Sequence, residues 1–197
     1  MVRPREFDFE EVAEGLLNTF WLRGFARTSI ADLTAATKLL PGSLYAAFGS
    51  KEAMFRLAVD RYQRYLRAAV AEASDTRGLK GLGDLLDAAV RLTADDPERR
   101  GCLVINAIPE AASYSDDTRR LLQDDLRRSR RLVRKRLVEA QEDAGQPADV
   151  DALAAIVFSA MVGIRVLGRA GESCQQLQAV ADGAKLLLRR YFRGHQP

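Results

Sequence analysis

The sequence predicts an all-α protein with a small N-terminal three-helix domain and a larger helical C-terminal domain. Apolar residues recur at the i, i+3, i+4 spacing of one helical face in nearly every segment of the 197 residues. No window alternates apolar and polar residues with period two over a useful length, so β-strands are not expected. The composition, 47% hydrophobic and 29% charged, is typical of a globular protein rather than a disordered one.

Three helices are predicted before residue 49. The apolar positions of the first helix share one face: Phe9, Val12, Ala13, Leu16, Leu17 and Phe20. Gly24 ends this helix, because glycine tolerates the positive φ that helix ends commonly need. Two short helical segments follow at 29–38 and 41–48, and Gly49 closes the second of them.

A long connecting helix is predicted over 50–74, with Ser50 as its N-cap. Three glycines in the stretch 74–83 predict a linker between two parts of the chain. We therefore expect an N-terminal domain at 1–50 and a C-terminal domain at 75–197. Five helical segments are predicted in the second domain: 85–92, 101–112, 116–143, 150–167 and 177–191.

The segment 41–48 has the features that a recognition helix in a DNA groove needs. It begins with proline, which suits the first position of a helix, and Gly42 and Ser43 follow and allow a close approach to DNA. Leu44 and Phe48 lie four residues apart and can pack inward, while Tyr45 points outward. Together with the short preceding helix, this pattern predicts a helix-turn-helix.

Residues on either side of the recognition helix are candidates for contacts with DNA phosphates. Thr28 and Ser29 precede the second helix, where hydroxyls and free backbone N–H groups form an anion site. Lys51 lies at the start of the connecting helix and is placed in the same way.

The N-terminal region resembles the TetR-type (tetracycline-repressor-like) bacterial regulators over roughly residues 9 to 57. The resemblance rests on GFARTSIADL at 24–33 and PGSLYAAFGSKEAMF at 41–55, with the loop lengths preserved. One departure is Ala46, where many members carry histidine. Six residues match positions that commonly contact DNA in that family: Thr28, Ser29, Gly42, Ser43, Tyr45 and Lys51.

The resemblance implies a DNA-binding transcriptional regulator, a repressor released from a palindromic operator by a small ligand. It also implies a homodimer formed through helices near 150–167 and 174–192, in a C-terminal domain for ligand binding and dimerisation. An alternative is a ligand-independent architectural or cell-division factor on a similar fold, which a filled C-terminal cavity would favour. An all-α enzyme is the third possibility.

Charge sets a condition on the DNA-binding hypothesis. Residues 1–60 contain seven Arg and Lys but eight Asp and Glu, so this region has no net positive charge. The charges must therefore be placed asymmetrically, and we expect the acidic residues of the first helix to point away from the duplex.

Several other patterns have ordinary structural explanations. The run 119–136 contains nine basic residues, but they fall outside the apolar stripe of its helix and predict a solvated face. The single histidine, His195, excludes a histidine-dependent hydrolase and a histidine-built zinc site. No cofactor motif is present, no apolar run approaches the about 20 residues that span a bilayer, and a cytoplasmic protein with reduced thiols is expected.

The C-terminal domain offers three candidate ligand contacts. Cys102 and Asn106 are i, i+4 neighbours in an apolar segment interrupted by Pro109, and Met161 lies on a later apolar helix. An amide that faces an apolar cavity can orient a small ligand. The alternative interpretation is that Cys102 is a buried core residue and that Asn106 is a capping or exposed residue.

Overall fold

The computed structural model describes residues 7–193, apart from the side chains of residues 72 and 74, and His195 lies outside this range. Within it there are ten α-helices, one 3-10 helix and no β-strand, which confirms the all-α prediction. The α-helices are α1 (Phe9–Arg23), α2 (Ile30–Thr37), α3 (Pro41–Phe48), α4 (Lys51–Ala69), α5 (Ala71–Asp75), α6 (Gly78–Ala94), α7 (Leu103–Ala107), α8 (Asp116–Ala144), α9 (Val150–Arg169) and α10 (Cys174–Arg193). The 3-10 helix covers Ile108–Ser113.

Capping groups set the bounds of the first three helices where the sequence predicts them. Asp8 caps α1, and Gly24 ends it with φ of 80°. Ser29 and Asp32 form a capping box at the start of α2, in which each side chain accepts from the other residue's backbone N–H. A proline at the first position begins α3, and Gly49 ends it with φ of 84°.

One compact core fixes the angle between these helices. Fully buried side chains from four helices meet in it: Leu16 and Phe20 of α1, Leu33 of α2, Leu44 of α3, and Met54 and Phe55 of α4. Only Leu44 of α3 is buried, so the rest of this short helix stays available at the surface.

The connecting segment differs from its prediction. The helix expected over 50–74 breaks at Val70 into α4 and α5, and α6 already starts at Gly78. The linker predicted at 74–83 is therefore wrong over most of its length. A Cβ on Gly81 would lie 2.1 Å from the Thr76 carbonyl oxygen, so this glycine permits a close backbone approach rather than a flexible link.

The C-terminal domain is a bundle in which α6, α8, α9 and α10 pack around two apolar clusters. Leu82 and Leu137 are fully buried in one cluster, and Leu86 and Ile164 in the other. The short α7 and the 3-10 helix, which carries Pro109 at its start, connect the bundle to the N-terminal domain.

The basic run on α8 is a solvated face with one exception. Most of its arginines are exposed, and several pair with carboxylates three residues before them, as Arg127 does with Asp124 at 2.8 Å. Arg136 is buried instead and pairs with Glu139 at 2.8 Å. Glu139 also accepts from the backbone N–H of Gly78 at 3.1 Å, so this ion pair ties α8 to the start of α6.

Helix α9 is long and apolar enough to cross a membrane by length and composition, which the sequence analysis did not anticipate. One side of α9 packs in the bundle, where Val157 and Ile164 are buried. The opposite side and the neighbouring face of α10 expose large apolar side chains: Ile156, Val166, Leu167, Leu186 and Leu187. Nothing in residues 7–193 covers this apolar face.

Candidate nucleic-acid interface and internal cavity

The exposed face of α3 carries three of the six residues predicted to contact DNA. Gly42 and Ser43 are exposed in its first turn, and Tyr45 is 44% exposed one residue after the fully buried Leu44. The residue before α3, Leu40, makes no side-chain hydrogen bond to the helix. The first N–H groups of α3 therefore have no side-chain cap and can bind acceptors outside the protein.

The start of α2 is arranged differently from the expectation. Thr28 is only 1% exposed, and its hydroxyl donates to the Gly24 carbonyl at 2.6 Å, so it closes the turn after α1 and faces no solvent. Ser29 is exposed, but its hydroxyl donates to the Asp32 carboxylate at 2.6 Å. Hydrogen bonds from Ser29 hold the pKa of Asp32 below its usual value. The predicted anion site is thus partly filled by a carboxylate of the protein itself.

Lys51 lies beside this turn rather than extended into solvent. Its ammonium is 4.5 Å from the ring centroid of Phe25. Partial burial lowers the pKa of Lys51, and the carboxylates of Glu110 and Asp32 oppose that shift. Asp32 therefore connects Ser29 and Lys51, which the sequence places 22 positions apart.

Arg27 is a surface cation that the sequence analysis did not single out. It is exposed immediately before Thr28 and Ser29, and among residues 7–193 it forms no ion pair. The available signal in the sequence was a cation two residues before Ser29, which caps the helix that precedes the recognition helix. Arg27 gives this surface a positive charge, which the capping box of Ser29 and Asp32 does not supply.

The acidic residues of α1 are neutralised by cations of neighbouring helices. Arg61 of α4 pairs with Glu10 and, at 2.8 Å, with Glu14, and Lys38 lies 3.4 Å from Glu11. The hydrogen bonds that Arg61 donates to both carboxylates raise its pKa. These charges cancel along α1, which reconciles the acidic composition of the domain with an interface on α3.

A carboxylate from the C-terminal domain holds the turn that precedes α2. Glu110 accepts from the backbone N–H groups of Phe25 at 3.1 Å and Ala26 at 3.0 Å, and from the Tyr114 hydroxyl at 3.1 Å. Burial and the Glu110 carboxylate raise the pKa of Tyr114, so its hydroxyl stays a donor. The position of the helix-turn-helix therefore depends on the 3-10 helix of the other domain.

A second joint between the domains lies around Trp21. Its indole donates to the Gly101 carbonyl at 3.2 Å, and the Arg100 guanidinium stacks 4.0 Å from its ring centroid. The side-chain amide of Asn106 donates to the Arg100 carbonyl at 2.7 Å. Asn106 is therefore engaged at the domain joint and is not among the residues that line the cavity described next.

A partly open cavity of about 100 Å³ lies between α4, α6, α7, α8 and α9. Apolar side chains form most of its wall, among them Leu126, Phe158 and Met161. Cys102 also lines it, so two of the three predicted ligand contacts, Cys102 and Met161, come together here.

Three polar groups at this cavity were missed in the sequence. Arg165 is 8% exposed, and no hydrogen bond or ion pair joins its guanidinium to the part of the chain that the structure describes. Asp125 is buried 3.8 Å from Arg128, and burial raises its pKa. The Tyr62 hydroxyl is not part of the wall but is buried behind it, near Cys102, without a hydrogen-bond partner in residues 7–193. A lone arginine inside the apolar stretch 150–167 was the signal that marked Arg165.

Two family models match the chain, one for each region. Residues 14–58 match the model described as bacterial regulatory proteins of the tetR family. Residues 78–184 match the tetracyclin repressor-like C-terminal domain.

Individual relatives match over nearly the whole chain. It is 28% identical over 184 residues to the HTH-type transcriptional repressor ComR of Escherichia coli K12, which covers 91% of this chain and 88% of ComR. Among solved structures it is similar to a cysteine mutant of the TetR family regulator CifR complexed with 26-bp double-strand operator DNA. The TM-score is 0.79 with 32% identity, over 93% of this chain and 97% of that one. A TetR regulator from Chloroflexus aurantiacus has a TM-score of 0.76 and 27% identity, covering 92% and 93% of the two chains.

Proposed function

Because this chain belongs to the TetR family of bacterial regulatory proteins and is a DNA-binding transcriptional regulator, we propose that it is a homodimeric repressor of a palindromic operator. A small molecule in the cavity releases it from DNA. The observation that carries the proposal is the surface of α3, which is exposed on one side, lacks a side-chain cap and is anchored behind by Leu44.

The division of the chain supports this function. We propose that residues 1–50 bind DNA, that α4 connects them to the rest, and that residues 75–197 bind ligand and form the dimer. Gly42, Ser43 and Tyr45 face the base edges in the major groove. Arg27, Ser29 and Lys51 lie on the phosphate side, where Thr28 keeps the turn closed rather than touching DNA.

The exposed apolar face of α9 and α10 supports dimerisation. A second copy of the chain can cover it through a two-fold axis, so that four helices pack together. A dimer of this kind presents two copies of α3 about one helical turn of DNA apart, roughly 34–36 Å. The same apolar face accounts for the composition of α9 without a membrane, and we place the protein in the cytoplasm.

Release by ligand follows from the position of the cavity. Its wall includes residues of α4 and α7, which lead to the two joints that hold the helix-turn-helix. A ligand that favours one arrangement of these helices changes the spacing of the two α3 helices and lowers operator affinity by a coupling energy of typically about 1–3 kcal/mol. The open cavity argues against a ligand-independent architectural factor, which a filled core would favour.

Selection of bound sequences from random DNA tests this function. We expect enrichment of a palindrome whose half-sites lie about one helical turn, or a small multiple of it, apart. A control protein with Gly42→Glu places a carboxylate on the groove face and should enrich nothing. If the unaltered protein also enriches no sequence, it is not a sequence-specific repressor.

A further inference from the structure

We propose that the ligand of the cavity is a small monocarboxylate with an apolar body, bound by Arg165 with the Tyr62 hydroxyl. This inference rests on the proposed function, because it names the chemical class of the molecule that releases the repressor. It follows from three observations: an unpaired cation in the cavity wall, an unpaired hydroxyl behind that wall, and a limited apolar volume.

Arg165 is the main recognition group. It lies on α9 with 8% of its surface exposed, and among the described residues its side chain has neither a hydrogen-bond acceptor nor a carboxylate within ion-pair distance. A guanidinium carries five N–H donors and remains charged at every physiological pH. Burying such a group without acceptors is costly, so an acceptor that enters the cavity gains unusually strong hydrogen bonds. A carboxylate matches the fork of the guanidinium with two parallel hydrogen bonds.

The Tyr62 hydroxyl supplies a second donor. Tyr62 is 1% exposed, and its hydroxyl oxygen is buried without a partner in the described chain. Burial raises the pKa of this hydroxyl well above its usual value, so the group stays protonated and can donate. Cys102, Arg165 and Asp125 also act on this pKa, and all three line the cavity. The hydroxyl therefore lies beside Cys102, just behind the wall of the cavity.

The acidic group of the cavity does not compete for the same role. Asp125 already has a cation, Arg128, at 3.8 Å, and Arg67 acts on it as a second positive charge. Burial raises the pKa of Asp125, which favours its neutral form and so weakens its attraction for a cationic ligand. The charge that lacks a counter-ion is Arg165, so the cavity selects an anion.

The volume limits the apolar part of the ligand. An engineered cavity of about 150 Å³ in another protein binds benzene and xenon. The cavity here, about 100 Å³, is of the same order and is walled by side chains such as Leu126, Phe158 and Met161. One aromatic ring or a short branched chain fits this space, whereas a long acyl chain does not.

Shape-matched probes test the charge directly on the intact protein without DNA. Benzoate and isovalerate are the carboxylate probes, benzyl alcohol is the neutral probe, and benzylamine is the cationic probe. Thermal melting and titration calorimetry should show that benzoate or isovalerate raises Tm and binds at least tenfold more tightly than benzyl alcohol. Benzylamine should not raise Tm.

Three variants then locate the recognition. Arg165→Met removes the charge while retaining length, and should weaken carboxylate binding about 10- to 100-fold. Tyr62→Phe should weaken it about 3- to 10-fold. Arg131→Met changes an exposed arginine on α8 and should have no effect.

The proposal is overturned if the alcohol binds as tightly as benzoate, if benzylamine binds best, or if neither carboxylate raises Tm at millimolar concentration. The probe comparison uses the unaltered protein, so it stands even if Arg165→Met does not fold. Selection on random DNA distinguishes a failure of the ligand proposal from a failure of the proposed repressor function. A palindrome without carboxylate binding contradicts only the ligand class, while no palindrome contradicts the repressor function itself.

Discussion

The DNA-facing surface and the ligand cavity are built in opposite ways. Every group at the proposed DNA surface comes from residues 27–51, a single local stretch with its own caps and turns. The polar groups of the cavity wall include Asp125 on α8 and Arg165 on α9, and Tyr62 on α4 lies behind the wall; only the folded bundle brings them together. A site of the first kind is encoded by spacing along the chain, and one of the second kind is encoded by packing.

The two sites also differ in how they treat polar groups. At the DNA surface the turn before α2 is already held by internal hydrogen bonds, as the Ser29 and Asp32 capping box shows. The Arg165 guanidinium in the cavity wall has no hydrogen-bond partner among the described residues, and neither has the Tyr62 hydroxyl behind the wall. The surface is preorganised before DNA arrives, whereas the cavity is completed by what it binds.

Leu44→Ala should have the largest effect, because it removes the side chain that anchors α3 to the N-terminal core. Leu44 is fully buried, and truncation of such a residue typically costs about 2–5 kcal/mol of unfolding free energy. Urea unfolding followed by circular dichroism measures it. Leu40→Ala is the matched control, because Leu40 is 73% exposed and its loss should cost less than about 0.5 kcal/mol. Equal effects of the two substitutions would show that α3 is not held by packing.

Glu110→Ala should uncouple the two regions with a smaller loss. The carboxylate accepts two backbone N–H groups from the turn before α2, and hydrogen bonds to a charged group contribute about 1.5–3 kcal/mol. Hydrogen exchange at Phe25 and Ala26 should report local opening that is easier by about that amount, with the core of α8 unaffected. Glu142→Ala removes an exposed carboxylate 3.7 Å from Arg77 and should change nothing at the turn. Unaltered protection at Phe25 and Ala26 in the Glu110 variant would remove this contact as a link between the domains.

Arg27→Ala and Lys51→Ala should each lower the salt dependence of operator binding. Each phosphate contact adds about 0.9 to the slope of log K against log salt concentration, so each variant should lose about one unit. Lys51 must first leave the Phe25 ring, and its affinity loss should therefore be smaller than that of Arg27. Lys135→Ala on the solvated face of α8 is the control. A slope that does not change in either variant would place these cations away from the DNA backbone.

Asp32→Asn should have the smallest effect, seen only in acid. Hydrogen bonds from Ser29 lower the pKa of Asp32 from 3.8, so this carboxylate contributes stability above that pH. The contribution disappears as the pH falls through the lowered pKa. Unfolding measured across this range should therefore be less acid-dependent in Asp32→Asn, and in Ser29→Ala, which removes the donor, than in the unaltered protein. Identical acid profiles would mean that the capping box does not hold the charge.

The same contrast between local and long-range contacts explains which features could be predicted from the sequence. The cap at Ser50, the proline that opens α3 and the ends at Gly24 and Gly49 are local signals, and the structure has them at the predicted positions. Local signals did not reveal that the Thr28 hydroxyl turns back to a carbonyl, because that depends on how the turn closes.

The rest depended on long-range packing. The glycine at 81 predicted a linker, yet it lies in α6 because a carbonyl approaches it closely. Asn106 was interpreted as a ligand contact, but its amide reaches a carbonyl at the domain joint. The sequence shows Arg165 as a single charged residue within an apolar helix. Only the folded bundle shows that it has no counter-ion in residues 7–193.

The placement of α3 in the groove is tested most directly by photocrosslinking from Ser43. Ser43→Cys is introduced together with Cys174→Ser, since Cys174 is exposed and Cys102 is buried, and a photoactivatable probe is attached to the new thiol. Crosslinks should map to two symmetric positions in the selected palindrome, in successive major grooves about 10–10.5 base pairs apart or a multiple of that. Crosslinks scattered without symmetry, or their absence under conditions where the labelled protein still binds the palindrome, would contradict recognition by α3.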